Sequence, residues 1–241
     1  AGVIARALEG GGRWLDPEEA AALLDCYGIP LAPFLLVEEP EAARRAAAEL
    51  GGSVALKAVA PGLVHKTEAG AVRLGVRAED AAEEARAMAE AVRSTGHQVE
   101  RFLVQRMVAE GVEMIVGVVH DPVFGPVVAC GAGGTAVELL RDVTVRITPL
   151  TDRDAVEMLR GLATYPLLQG YRGGPRANIT ALEDLLLRVG ALVEDHPAVA
   201  EMDLNPVKAL PEGAVVVDVR VRVEMPPPAL PLGARGPGVG A

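Results

Sequence analysis

Residues 201–210 read EMDLNPVKAL and residues 214–223 read AVVVDVRVRV, with Pro-Glu-Gly between them. Both stretches alternate apolar and polar residues, the pattern of strands with one buried face. The short turn makes them an antiparallel hairpin. In the first strand Met202 and Leu204 fall on one face, and Asp203 and Asn205 on the other. In the second, strict alternation puts Val217, Val219 and Val221 inward, with Asp218, Arg220 and Arg222 opposite. The hairpin then presents Asp203, Asn205 and Asp218 on one polar surface. Oxygen donors of this kind suit Mg²⁺, which takes one or two carboxylates together with waters and phosphate oxygens. The same alternation also describes an ordinary sheet with one solvated face, and the pattern alone leaves both readings open.

Upstream of the hairpin, strands and helices are interleaved. Residues 1–13 end in GGGR and read as a leader or linker. A helix follows, with Asp16 as N-cap, Pro17 in the first turn, Glu18 and Glu19 at the positive end of the dipole, and Gly28 as the stop. Strands are expected at 34–37, 54–59, 71–76, 102–108, 113–119, 127–130 and 143–147. Helices are expected at 41–50 and 79–94, in a short piece from Thr135, from Asp152, and from Asn178 or Thr180. The tail 225–241, MPPPALPLGARGPGVGA, has too much Pro and Gly for a packed element and reads as a linker. Mixed strands and helices with several hairpins indicate an α+β fold.

Composition narrows the function. Of 241 residues 50% are hydrophobic and 23% charged, a globular balance, while aromatics at 3% leave the core to Ala, Val and Leu. Lys and Arg number 23 against 33 Asp and Glu, and the resulting charge of −10 argues against broad nucleic-acid binding. A small anion site remains compatible with that charge, because a few cations and backbone N–H groups suffice. The two cysteines, Cys26 and Cys130, have no zinc spacing and suit a reducing, cytoplasmic setting. No stretch of about 18 uninterrupted apolar residues suggests a membrane span, and no basic-then-apolar leader suggests secretion.

Three further features carry chemistry. CGAGG at 130–134 follows a strand and precedes a helix, so its glycines could let backbone N–H groups approach a phosphate. The same motif also serves as a plain tight turn. Lys57 alternates with apolar neighbours on a strand, where it could reach a phosphate or snorkel to solvent. His65, in the loop PGLVHKTEAG, titrates near neutral pH and could act as nucleophile or base, which most loop histidines do not. No GxxxxGK[ST] is present, so nucleotide chemistry must use another phosphate-binding solution.

Taken together, WLDPEEAAALLDCYGIP, ALKAVAPGLVHKTEAGAVRLGV, LVQRMVAEGVEMIVGVVHDPVFGPVVACGAGGTAVELLRDVTVRITPL and EMDLNPVKAL resemble, in order, the ATP-grasp domain of ADP-forming acetyl-CoA (acyl-CoA) synthetases. That family is related to the β subunit of succinyl-CoA synthetase. The resemblance runs from about Arg13 to Glu224. It implies an ATP-grasp fold in which two α/β lobes, about 14–100 and 101–224, grip a nucleotide. By the same resemblance Lys57 holds nucleotide phosphates, the backbone of Gln105, Arg106 and Met107 reads adenine, and Glu113 meets the ribose. Asn205 and Asp218, with Asp203 adjacent, match the Mg²⁺ ligands. Gly131, Gly133 and Gly134 match the phosphate-side loop, and Arg146 matches a contact to the phosphoryl group. His65 matches a family histidine that carries a phosphoryl group between a distant site and ADP.

The implied reaction is acyl-CoA + ADP + phosphate ⇌ carboxylic acid + CoA + ATP, through an acyl phosphate and a phosphohistidine. Two departures stand out. The loop reads HKTEAGA, with Glu68 and Ala71 where the family commonly has Asp and a Gly-Gly pair. In addition, the CoA-binding domain and the family's principal phosphohistidine belong to another subunit or another part of a fused chain, which becomes the expected partner. An alternative resemblance is to the ATP-grasp-like regulatory region of bacterial protein lysine acetyltransferases. A third, to other ATP-grasp carboxylate ligases, lacks the HKTE and FGPVV context.

Overall fold

The computed structural model describes residues 2–63, 69–134 and 142–226, and these form two compact units. Leu31–Glu110 make one; the residues through Pro30 and those from Gly111 onward make the other.

The smaller unit is a four-stranded antiparallel sheet with two helices on one face. In chain order it contains β2 (Phe34–Val37), α3 (Pro40–Leu50), β3 (Val54–Val59), β4 (Val72–Val76), α4 (Ala81–Ser94) and β5 (Arg101–Arg106). The strands lie in the order β2-β5-β3-β4. Ala43, Ala47 and Leu50 of α3 and Ala85, Met88 and Val92 of α4 pack on Val54, Leu56, Phe102 and Val104. Alanine on both helices lets their backbones sit close to the sheet, which is how a core so poor in aromatics is filled.

The larger unit begins with α1 (Gly2–Glu9), β1 (Arg13–Trp14) and α2 (Pro17–Cys26). It continues with β6 (Val112–Asp121), β7 (Gly125–Ala132), β8 (Val143–Ile147), α5 (Asp152–Arg160), α6 (Tyr165–Leu168) and α7 (Ile179–Asp195). β9 (Val199–Ala209), β10 (Ala214–Val216) and β11 (Val219–Val223) close it. Among the described residues the sheet has seven antiparallel strands in the order β1-β11-β9-β6-β7-β8, with β10 also paired to β9. α5 and α7 cover one face. Leu182, Leu185, Leu186 and Val189 of α7 are buried there, with Val116, Val118, Val128, Met202, Leu204 and Val221 buried in the sheet.

Three expectations change. Residues 1–13 are not simply a leader: Gly2–Glu9 are helical, with Ile4 and Ala7 buried. The smaller unit spans 31–110 rather than 14–100, because Arg13 and Trp14 pair with Val223 and Arg222, which ties the N-terminal segment to the far end of the chain. The stretch 214–223 is two strands, not one. Val216 and Val221 are both fully buried, so the inward set changes parity between them and Val217 is not an inward residue of the same row. Elsewhere the elements follow the sequence: Asp16 caps α2 in a capping box with Glu19, and Asn178 caps α7. The short helix expected from Thr135 lies outside the described residues.

Candidate functional site

The break in β9 arranges the candidate metal ligands. β6 pairs Met114 with Val207 and Val116 with Leu204, so one residue of β6 faces two of β9, Asn205 and Pro206. This is a β-bulge, and Pro206 suits it because proline has no N–H to give to a ladder. On the other side of β9, Asn205 N–H donates to the Asp218 carbonyl at 3.0 Å and Val217 N–H donates to the Pro206 carbonyl at 2.9 Å. The Asn205–Pro206 peptide is cis. Leu204 is buried against the helices and Val219 leads into the buried row of β11, so the residues next to them, Asn205 and Asp218, turn to the other face. Asp203 shares that face, with Arg220 as its partner in register.

The electrostatics of this cluster fit a cation. Burial pushes the Asp203 carboxyl above its ordinary range; the Asp218 and Glu201 charges add to that push, and Arg220 opposes it. A divalent ion would offset the cost of keeping the Asp203 carboxylate charged while buried. Among the described residues no group of three or more His, Cys, Asp and Glu could hold a metal. The candidate set is instead two carboxylates and the Asn205 amide. That is the donor chemistry of Mg²⁺, which completes its shell with waters and phosphate oxygens.

The same unit builds a close approach of backbones at the glycine loop. Gly133 N–H donates to the Glu113 carbonyl at 2.6 Å, and a Cβ on Gly133 would lie 2.9 Å from the Glu113 carbonyl carbon. A Cβ on Gly131 would lie 2.9 Å from the Asp142 carbonyl oxygen. Gly134 has φ +86°, a conformation that favours glycine. Glu113 and Gly133 line one hollow of about 350 Å³ with Asp142, Thr164, Tyr171 and Pro175. Lys208 Nζ donates to Glu113 Oε1 at 2.8 Å and so holds that carboxylate in place. Sequence reasoning passed over Lys208, although its alternation with buried Val207 and Ala209 placed it on the Glu113 side.

Arg146 is not brought to this cluster. It pairs in register with buried Val128, so it shares the helix-covered face of the sheet. There it lies 3.6 Å from Asp154 and 3.4 Å from Glu157 of α5. Alternation in VTVRI showed that Thr144 and Arg146 share a face, but not which one. The Thr144 hydroxyl, donating to the Met158 carbonyl at 3.0 Å, settles it.

In the smaller unit, Lys57 and Gln105 are 9% and 2% exposed, and they are the buried polar side chains among the described residues. Leu56, Phe102 and Val104 face the helices, so Lys57, Leu103 and Gln105 occupy the opposite face, with Lys57 and Leu103 as register partners. Gln105 Nε2 donates to the Ala32 carbonyl at 3.3 Å. Arg106 is turned the other way, its Nε donating to the Leu50 carbonyl at the end of α3. The N–H groups of Arg106 and Met107 donate to Pro33 and Ser53 within the unit. The expected reading of a base by this backbone would therefore fall to carbonyl oxygens. His65 lies outside the described residues.

Comparison with known proteins shows the family and the fold. A family model described as ATP-grasp domain matches residues 6–223. Acetate–CoA ligase [ADP-forming] I of Archaeoglobus fulgidus is 44% identical over 221 residues, which is 91% of this chain but 32% of that protein. The chain thus spans about a third of that relative's length. The β subunit of acetate–CoA ligase [ADP-forming] I of Pyrococcus furiosus is 38% identical over 212 residues, 87% of this chain and 91% of the subunit. A solved structure of dinucleotide-forming acetyl-coenzyme A synthetase 1 of Ca. Korarchaeum cryptofilum superposes with a TM-score of 0.81 at 38% identity, covering 92% of this chain and 99% of the other. That structure holds coenzyme A and Mg-AMPPCP, with its phosphohistidine segment pointing towards the nucleotide binding site.

Proposed function

Because the chain belongs to the ATP-grasp family and is homologous to the β subunits of ADP-forming acetyl-CoA synthetases, we propose that it is the nucleotide-binding component of such a synthetase, moving a phosphoryl group between a phosphohistidine and ADP. The observation that carries this reading is the bulge that turns Asn205 and Asp218 to the same face as Asp203. In this reading these three side chains hold Mg²⁺, which neutralises charge on the nucleotide's terminal phosphates. The Mg-AMPPCP held by the related synthetase favours the same ion.

Within that reading each residue has a defined task. Lys57, a compact cation on an otherwise apolar strand, contacts a phosphate as a point charge. Gln105 and the Gln105–Met107 backbone meet the base, and Glu113, fixed by Lys208, meets the ribose. Gly131, Gly133 and Gly134 allow backbone to come close to phosphate. His65 takes the phosphoryl group on an imidazole nitrogen as the N–P bond of the partner's phosphohistidine breaks and that imidazole leaves after protonation. An ADP oxygen then attacks phosphorus, the N–P bond breaks, and the histidine leaves as neutral imidazole after protonation. Arg146 has no part in this scheme, since its guanidinium is spent on α5.

The relatives reported above are CoA ligases, which favours catalysis over the acetyltransferase reading. The chain matches nearly a whole separate β subunit but a third of a fused enzyme. The CoA-binding and acyl-transferring steps accordingly belong to a partner domain or subunit. Two unbridged cysteines, and no helix among the described residues long and apolar enough to cross a membrane, accord with action in the cytoplasm. The test is to supply the CoA-binding partner and assay ATP formation from acetyl-CoA, ADP and phosphate. His65→Ala should abolish turnover and leave Mg-ADP binding intact. Turnover equal to wild type in that variant would dismiss the relay, and no ATP formation by the wild-type pair would dismiss the synthetase reading.

A further inference from the structure

Two arginines lie two residues apart on the Asp203 side of β11, and the structure treats them differently. Arg222 is consumed by ion pairs, with Glu201 at 3.2 Å and with Glu224. The Arg220 side chain makes no hydrogen bond or ion pair among the described residues. Its guanidinium instead lies over the Trp14 ring, 4.4 Å from the centroid. Stacking on an indole face restrains a guanidinium while leaving the N–H groups around its edge unused. Arg220 is also the register partner of Asp203 on β9 and sits two residues beyond Asp218. A cation is thus held beside the carboxylates without being bonded to either. A group carrying its own oxygens could lie against the metal ligands and take those donors as well.

We propose that Arg220, laid on Trp14, binds the terminal phosphates of the nucleotide. This rests on the Mg-nucleotide reading of Asp203, Asn205 and Asp218 given above. It assigns to Arg220 the phosphoryl contact that sequence reasoning gave to Arg146. It also explains the placement of β1. The two-residue strand carries the chain's one tryptophan to the edge of β11, where its ring forms the platform for the cation. A planar guanidinium suits this position because it can stack on one face and still donate two parallel hydrogen bonds to a phosphate.

The experiment is calorimetry of AMP, Mg-ADP and Mg-ATP against wild type, Arg220→Gln and Arg220→Lys. The proposal expects Arg220→Gln to weaken Mg-ATP at least tenfold and AMP less than twofold, with Arg220→Lys recovering part of the loss by restoring charge. Mg-ATP affinity within twofold of wild type in Arg220→Gln would overturn it while leaving the underlying reading standing. An equal loss for AMP and Mg-ATP would also overturn it, because that pattern reports damage to the sheet. Wild type binding none of the three would bring down the underlying reading and this inference with it.

Discussion

The backbone N–H of Asn205 donates to the carbonyl oxygen of Asp218 at 3.0 Å, so a residue of β9 and one between β10 and β11 are fixed to each other where the β6–β9 ladder bulges. Each side chain follows from that bond. A bulge adds a residue to one strand and changes which face the next side chains meet. Here it lets Met202, Leu204, Val207 and Ala209 all stay buried while Asn205 is exposed between them. The polar pair is therefore held by backbone geometry rather than by the long side chains themselves, a rigid way to present metal ligands.

Lys57 tests the smaller unit. Lys57→Met keeps the aliphatic stem and removes the charge from a position 9% exposed. Mg-ATP affinity should fall at least tenfold. Lys57→Arg should not restore it, because a wider, planar group must fit between Val72 and Leu103. Titration of both variants, with circular dichroism to confirm folding, decides the matter. Affinity unchanged in Lys57→Met would remove the lysine from the site.

Gly133→Ala tests the glycine loop. The new methyl would lie 2.9 Å from the Glu113 backbone carbon and side-chain Cβ, inside normal contact. Overpacking of this kind costs about 1–3 kcal/mol, read by urea unfolding. Nucleotide affinity should fall as well, because Gly133 N–H and Glu113 would be pushed apart. A variant as stable as wild type would show that the two backbones separate at little cost.

Asp142 gives a pH signature. Burial alone would push its carboxyl up, but the Thr164 hydroxyl and the N–H groups of Ala163 and Thr164 outweigh that and hold it below the ordinary carboxylate range. Its folded value lies below its unfolded one, so its contribution is complete above the unfolded pKa of about 3.9 and is lost as pH falls through the lowered folded value. Asp142→Asn should cost about 1–2 kcal/mol at pH 7. The gap to wild type should narrow below about pH 4. A gap constant from pH 7 to pH 3 would contradict the assignment.

The parts of the fold that sequence conveyed were those with local signatures. The capping box at Asp16 and Glu19, the strand Val54–Val59 and the strand Val143–Ile147 fall where periodicity put them. What it did not convey depends on pairing over long distance. Ile4 and Ala7 of α1 are buried by the larger unit, and a short helix running into Gly10–Gly12 gives no such hint by itself. The parity change between Val216 and Val221 matches the one between Leu204 and Val207 on the opposite strand, a fact about the partner and not about VVVDVRVRV. Alternation likewise grouped Arg146 with Thr144 and Arg220 with Arg222. Only the positions of α5 and Trp14 distinguish an arginine spent on a helix from one whose donors remain unused.

The most direct measurement is calorimetric titration of ADP into the chain with Mg²⁺ and again with EDTA, for wild type and for Asp218→Asn. The account predicts saturable binding to wild type, in the micromolar-to-millimolar range usual for enzyme substrates. It predicts a loss of at least tenfold when the ion is chelated, and a comparable loss in the folded Asp218→Asn protein. ADP binding of equal strength in all four titrations, or none to wild type with Mg²⁺ present, would contradict it.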